Sequence, residues 1–94
     1  MDIEFTSQVF KEGGSYVAYA RELDLSSCGS TRLTAERNLK EAVRLFLEEA
    51  KKMGTLEQIL EESGFSNRES KLEGPKFIGI QRVSLPLPSL DAKT

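Results

Sequence analysis

The 94-residue chain contains no histidine, one cysteine and three prolines. Without histidine it lacks the commonest general base near neutral pH and a frequent zinc ligand. Cys28 has no second cysteine for an internal disulfide, and no histidine that would help to form its thiolate. We therefore expect a chain that is not an enzyme and that needs no cofactor or metal.

Signals for membranes and secretion are also lacking. No apolar run approaches the ~20 residues that a membrane-spanning helix requires. The stretch Met1-Asp2-Ile3-Glu4 is acidic and does not have the basic and then apolar layout of a signal peptide. The sequence therefore predicts a cytoplasmic protein.

The charges are nearly balanced, with 13 basic and 15 acidic residues and a net charge of −2. Dedicated nucleic-acid-binding domains commonly have a high pI and a basic stripe, which this balance disfavours. A weakly acidic protein is better suited to a basic protein partner. With 38% apolar and 30% charged residues, the composition is that of an ordinary globular protein of about one domain.

The first third of the chain has the pattern of short strands. Residues 3–10 alternate between apolar and polar side chains, which predicts a half-buried strand. Gly13 and Gly14 predict a tight turn after it. A second strand is expected over residues 15–22, and a short, polar edge strand over residues 25–30. Three strands joined by short turns form an antiparallel meander.

The spacing of apolar residues then changes to the helical period. Thr31 is expected to cap a long amphipathic helix that Gly54 ends. Thr55 begins a capping-box pattern and a second helix over residues 56–63, with Gly64 placed for a left-handed end. The apolar stripe of the first helix consists of Ala35, Leu39, Ala42, Val43, Phe46, Leu47, Ala50 and Met53.

A polar loop over residues 66–75 and a final strand over residues 77–85 complete the pattern. The order β-β-β-α-α-β predicts an α+β fold with about four strands. The last strand would lie parallel to the first, and the helices would cover one face of the sheet. We expect one domain over residues 1–86 and a frayed tail over residues 87–94.

Three short strings occur along this pattern: Tyr16-Val17-Ala18-Tyr19 with Glu22-Leu23, Gly29-Ser30-Thr31, and Ala35-Glu36-Arg37-Asn38-Leu39-Lys40-Glu41-Ala42. A tyrosine-rich second strand, a Gly-x-Thr junction and such a helix are typical of HicB antitoxins. The chain therefore resembles the HicB family of the HicAB toxin–antitoxin pairs. The resemblance covers residues 1–52 well and the final predicted strand loosely.

The resemblance implies a partial RNase H-like fold without nuclease activity. It also implies a HicA-type partner, a small ribonuclease toxin whose active site the antitoxin covers. Many family members carry a C-terminal helix-turn-helix or ribbon-helix-helix segment that binds DNA. The nine residues after Leu85 include two prolines and fit neither segment, so we do not expect direct DNA binding by this chain.

Two other functions would each require particular side chains to lie on the same face. A metal-dependent nuclease would need Glu4, Asp24 and Glu41 to converge, and the alternation of the first strand places Glu4 on the face away from the helices. A sheet that stacks bases would use Tyr16 and Tyr19, which lie three apart and face opposite sides of their strand. An orphan RNase H-like nucleic-acid-binding or regulatory domain remains the alternative to an antitoxin.

Two surfaces are predicted to bind proteins. Glu57, Glu61 and Glu62 on the second helix would meet a basic toxin, or would simply form a solvated helix face that favours the helix dipole. The final strand is apolar on both faces, which favours a homodimer or a dimer of dimers. Its self-association residues would be Phe77, Ile78, Ile80, Val83 and Leu85.

Overall fold

The computed structural model describes residues 1–88, apart from the side chain of Arg68, and confirms the predicted α+β class. Within those residues the chain forms six strands and two helices. The two helices are the 22-residue α1 and the seven-residue α2. In chain order the elements are β1 (Asp2–Glu4), β2 (Ser7–Glu12), β3 (Ser15–Ala20), β4 (Leu25–Gly29), α1 (Arg32–Met53), α2 (Leu56–Glu62), β5 (Ser66–Arg68) and β6 (Lys71–Glu73).

The predicted antiparallel meander is present as a sheet of order β2-β3-β4. The two-residue turn between β2 and β3 has Gly13 at φ 58°, as the first central position of a type II′ turn requires. The strand predicted over residues 3–10 is divided, however, because β1 ends before Phe5 and β2 begins after Thr6. Regular pairing stops there, and the N–H of Thr6 donates to the carboxylate of Glu22 instead.

A second, small sheet has the order β1-β6-β5. β6 lies parallel to β1, with Ile3 opposite Leu72, and β5 pairs antiparallel with β6. The first strand therefore has the expected parallel partner, but residues 71–73 form it rather than residues 77–85. The loop expected over residues 66–75 is a hairpin, whose turn residues Glu69 and Ser70 both have positive φ. Turns of this kind usually contain glycine or asparagine, and neither residue is present here, so the hairpin could not be predicted from its turn.

The strand predicted over residues 77–85 is wrong for the single chain. Residues 77–88 have no regular secondary structure and are exposed. β6 instead takes the parallel position beside β1 that this strand was expected to fill. Of the predicted tail over residues 87–94, residues 89–94 lie outside the described residues.

The caps of the helices are mostly as expected. The N–H of Thr34 donates to Thr31 Oγ1 at 3.1 Å, and Gly54 ends α1 with φ 78°. Gly64 follows α2 with φ 86°, and the N–H of Phe65 reaches the carbonyl of Leu60, as in a Schellman motif. The capping box at Thr55 is wrong: its hydroxyl donates to the carbonyl of Ala50 at 3.4 Å and does not cap α2.

The core lies between α1 and the meander. Ala18 and Ala20 on β3 are fully buried, and Leu39 and Val43 face them from α1. The small side chains of β3 leave room for the helix to pack closely on the sheet. Phe65 extends this core towards the small sheet, so the segment after α2 is tied to the same hydrophobic cluster.

Candidate partner-binding surfaces

The acidic residues of α2 lie at the surface. Glu57, Glu61 and Glu62 are all exposed, and Glu62 accepts a hydrogen bond from Gln58 Nε2 at 3.0 Å. Among the side chains that the structure describes in residues 1–88, which do not include that of Arg68, none forms an ion pair with these three carboxylates. Three negative charges on seven residues thus remain available to a positively charged partner.

The position of α2 is fixed from its other side. Ile59 and Leu60 are partly buried and pack against the core, and Phe65 behind the helix is buried. The Schellman hydrogen bonds at Gly64 hold Phe65 in that place. Because the apolar side of α2 is packed against the core, its acidic side faces the solvent. The mutual arrangement of these acids follows from the 3.6-residue period that the sequence predicted.

The residues predicted for self-association lie in one exposed segment, which we call the apolar arm and define as residues 77–87. Its large apolar side chains are far more exposed than is usual for such residues. Their exposed fractions are 42% for Phe77, 91% for Ile78, 74% for Ile80, 66% for Val83, 82% for Leu85 and 71% for Leu87. Six exposed large apolar side chains within one short segment of a small protein are typical of an interaction site.

The meander has a second open surface that the sequence analysis did not single out. Its face away from α1 carries Phe10, Val17 and Cys28 in one row across the three strands. Phe10 is 47% exposed and Cys28 is exposed. The signal in the sequence was Phe10 itself, an apolar residue on the polar side of the first alternating pattern.

The two tyrosines of β3 lie on opposite faces of the sheet, as predicted. Tyr16 packs against the core on the α1 side, where Lys11 Nζ lies 5.6 Å from the centre of its ring. Tyr19 lies on the open face and donates a hydrogen bond from its hydroxyl to Asp24 Oδ1 at 2.9 Å. That hydrogen bond raises the pKa of Tyr19 above its ordinary value, with smaller contributions from desolvation and from the negative charge of Asp24. The two rings therefore do not form a common platform for bases.

The carboxylates considered for metal binding do not meet. Glu4 pairs with Lys71 at 2.9 Å, and this hydrogen bond raises the pKa of the lysine. Asp24 binds Tyr19, and Glu41 pairs with Arg44 on the exposed side of α1. Across residues 1–88 no group of three or more potential ligands is placed to hold a metal ion.

A cleft of about 540 Å³ lies where the two sheets meet, beside the break between β1 and β2. Glu4, Glu22 and Glu73 line it together with Lys76. Glu22 is already used there, because both of its oxygens accept from the N–H of Thr6. The Glu22 carboxylate in this cleft therefore has a structural role, because it accepts the hydrogen bond that the backbone N–H of Thr6 would otherwise lack.

No helix in the described part of the chain is long and apolar enough to cross a membrane. In comparisons with known proteins, no family model, no curated protein and no solved structure matches the chain.

Proposed function

We propose that this chain is an antitoxin-like protein-binding module that binds and neutralises a small HicA-type ribonuclease in the cytoplasm, with no catalysis of its own. The observation that carries the proposal is the exposure of the carboxylates of Glu57, Glu61 and Glu62 on one short helix, where none of the described side chains forms an ion pair with them. A ribonuclease needs a basic surface to hold RNA, and such a surface is complementary to an acidic helix. The resemblance of residues 1–52 to HicB proteins supports the same partner.

The proposed mechanism is occlusion. The acidic side of α2 attracts the basic RNA-binding surface of the toxin, and the body of the domain then blocks access of RNA. Complementary charge mainly accelerates association, and contacts that become buried slow dissociation. Inhibition should therefore weaken as salt concentration rises, because screening reduces the attraction between exposed charges.

The test uses a small, basic HicA-type ribonuclease, assayed on RNA with and without the purified protein. Charge reversal of Glu57, Glu61 and Glu62 to lysine should weaken inhibition by about tenfold or more, which corresponds to about 1.4 kcal/mol or more of binding free energy. The matched control reverses Glu41, Glu48 and Glu49 on the exposed side of α1, which changes net charge equally. Equal inhibition by both triple variants, or none by the natural chain, would contradict the proposal.

Self-association is the second part of the proposal. The chain forms a homodimer, or a dimer of dimers, through Phe77, Ile78, Ile80, Val83 and Leu85. Six large apolar side chains exposed along one segment supply the reason, since solvent exposure of such a surface is unfavourable. Direct binding of DNA is not part of the proposed role.

A further inference from the structure

The apolar arm has the features of a strand without a partner. Residues 76–85 contain no proline, so every one of them has a backbone N–H to donate, and Pro86 ends that run. In an extended strand the arm would be apolar on both faces, with Ile78 and Ile80 on one side and Val83 and Leu85 on the other. The radius of gyration of the chain is 17.3 Å, whereas a compact chain of this length has about 12 Å. The exposure of the arm and the large radius of gyration both indicate that the arm extends away from the rest of the domain.

β2 has the matching features of an open edge. It is the outermost strand of the meander and has six residues. Glu12 and Ser15 flank the two-residue turn and so form a hydrogen-bonded pair, after which paired and unpaired positions alternate along the ladder. The N–H and C=O groups of Ser7, Val9 and Lys11 therefore point outward. No described group of residues 1–88, which leaves out the side chain of Arg68, forms a hydrogen bond to those outward groups.

The opposite edge of the meander checks this alternation independently. Val17 forms its backbone hydrogen bonds with Phe10 of β2, so it forms none with Cys28, its partner on β4. The carbonyl of Cys28 therefore points outward, away from β3. Asn38 Nδ2 donates to that carbonyl at 2.8 Å, as the alternation requires. The edge of β4 is thus partly closed by α1, while β1 and β5 have only three residues each. β2 is the longest edge that the described residues leave open.

The side chains of β2 also suit the arm. Val9 lies on the α1 side of the sheet and Phe10 on the open side, so the edge offers an apolar contact on each face. A shallow cleft beside this edge is lined by Val9, Lys11, Tyr16 and Arg32. A strand that is apolar on both faces would find contacts on both sides of the sheet there.

We propose that the apolar arm of one copy of the chain adds to β2 of a second copy as a fourth strand of the meander, and that the exchange is reciprocal. The occupant is a second copy because one chain holds both an unpaired strand and an unpaired edge, and a two-fold exchange satisfies both at once. The eleven arm residues and the six of β2 approach the ~20–30 residues per partner of a standard interface. The inference rests on the self-association proposed above and adds the surface that receives the arm.

Light scattering on the full chain at micromolar concentrations tests the proposal, with the natural chain expected to be dimeric. Lys11→Pro removes an outward N–H from the edge and leaves the hydrogen bonds to β3 in place. We expect it to raise the dimer dissociation constant at least tenfold (~1.4 kcal/mol), and Lys11→Thr, which keeps the N–H and changes only the side chain, to raise it much less. In the arm, the double variant Ile80→Glu, Val83→Glu should dissociate the dimer. Leu33→Glu, at an exposed position of α1, should not.

Amide hydrogen exchange on the natural chain supplies a test that does not depend on variants. The N–H groups of Val9 and Lys11 should become protected as concentration rises, together with those of the arm. A monomeric natural chain would refute both self-association and the exchange. If the arm variant dissociates while Lys11→Pro and the β2 amides show no effect, self-association stands and the assignment of β2 is refuted.

Discussion

The backbone N–H of Thr6 donates to both carboxylate oxygens of Glu22, at 3.1 and 3.0 Å. Thr6 lies in the gap between β1, which belongs to the small sheet, and β2, which belongs to the meander. Glu22 follows β3 and thus reaches this gap from the neighbouring strand. One side chain therefore satisfies the backbone group that the division of the first strand leaves without a ladder partner.

Removal of that carboxylate should destabilise the fold. Hydrogen bonds to charged groups contribute about 1.5–3 kcal/mol, so Glu22→Ala should lower the free energy of unfolding by up to that amount. Glu22→Gln keeps one oxygen acceptor and should lose less. Urea denaturation followed by circular dichroism measures both, with exposed Glu49→Ala as the control. Equal stability of the Ala variants at positions 22 and 49 would contradict this role.

The junction between β4 and α1 requires glycine at position 29. A Cβ placed on Gly29 would lie 2.7 Å from the backbone nitrogen of Ala35 and 2.8 Å from Cγ2 of Thr34. Since a backbone atom cannot move aside cheaply, Gly29→Ala should cost about 1–3 kcal/mol in the range of overpacked sites. Gly14→Ala is the matched control, because its Cβ would meet nothing within 4 Å. Melting temperatures of the two variants test this, and a Gly29→Ala variant as stable as the control would refute the steric argument.

Tyr19 gives a prediction on pH. Its hydrogen bond to Asp24 raises the pKa of the phenol above 10.0, because loss of the proton would remove the bond and place two negative charges together. The raised pKa favours the folded state fully below the unfolded pKa, and this contribution is lost as pH rises through the folded value. In a Tyr16→Phe background only Tyr19 titrates as a tyrosine. Its absorbance titration should move to lower pH when Asp24 is replaced by Asn, and no movement would show that the bond does not persist in solution.

Short sequence patterns correctly predicted the helix caps and the meander, because these features depend on residues that are close together in the sequence. Thr31, Gly54 and Gly64 each cap or end a helix as expected, and the meander follows from alternation and from Gly13 in the first turn. These features depend on backbone preferences and on contacts within a few residues. The opposite faces of Tyr16 and Tyr19 follow from the period of a strand in the same way.

Features that depend on distant residues could not be predicted from such patterns. The division of the first strand depends on Glu22, sixteen residues beyond Thr6. The partner of β1 is the polar segment Lys71–Glu73, whereas the more apolar residues 77–85 had the stronger strand pattern. A strand pattern shows that a segment can pair, but it does not say whether the partner lies in the same chain. The acids of α2 were placed correctly at the surface, because exposure of a charged helix face follows from its period.

Substitutions of two phenylalanines, one in the core and one in the apolar arm, should distinguish the stability of the fold from self-association. Phe65 is 9% exposed and belongs to the core, whereas Phe77 is 42% exposed and lies in the apolar arm. Phe65→Ala should lower the free energy of unfolding by about 3–5 kcal/mol, the range for large core truncations. Phe77→Ala should change the unfolding free energy of the dilute monomer little and weaken self-association instead. Denaturation at low concentration and light scattering at high concentration measure the two effects on the same samples. A large loss of monomer stability in Phe77→Ala would mean that the arm packs against its own chain, and the exchange between copies would then lose its donor strand.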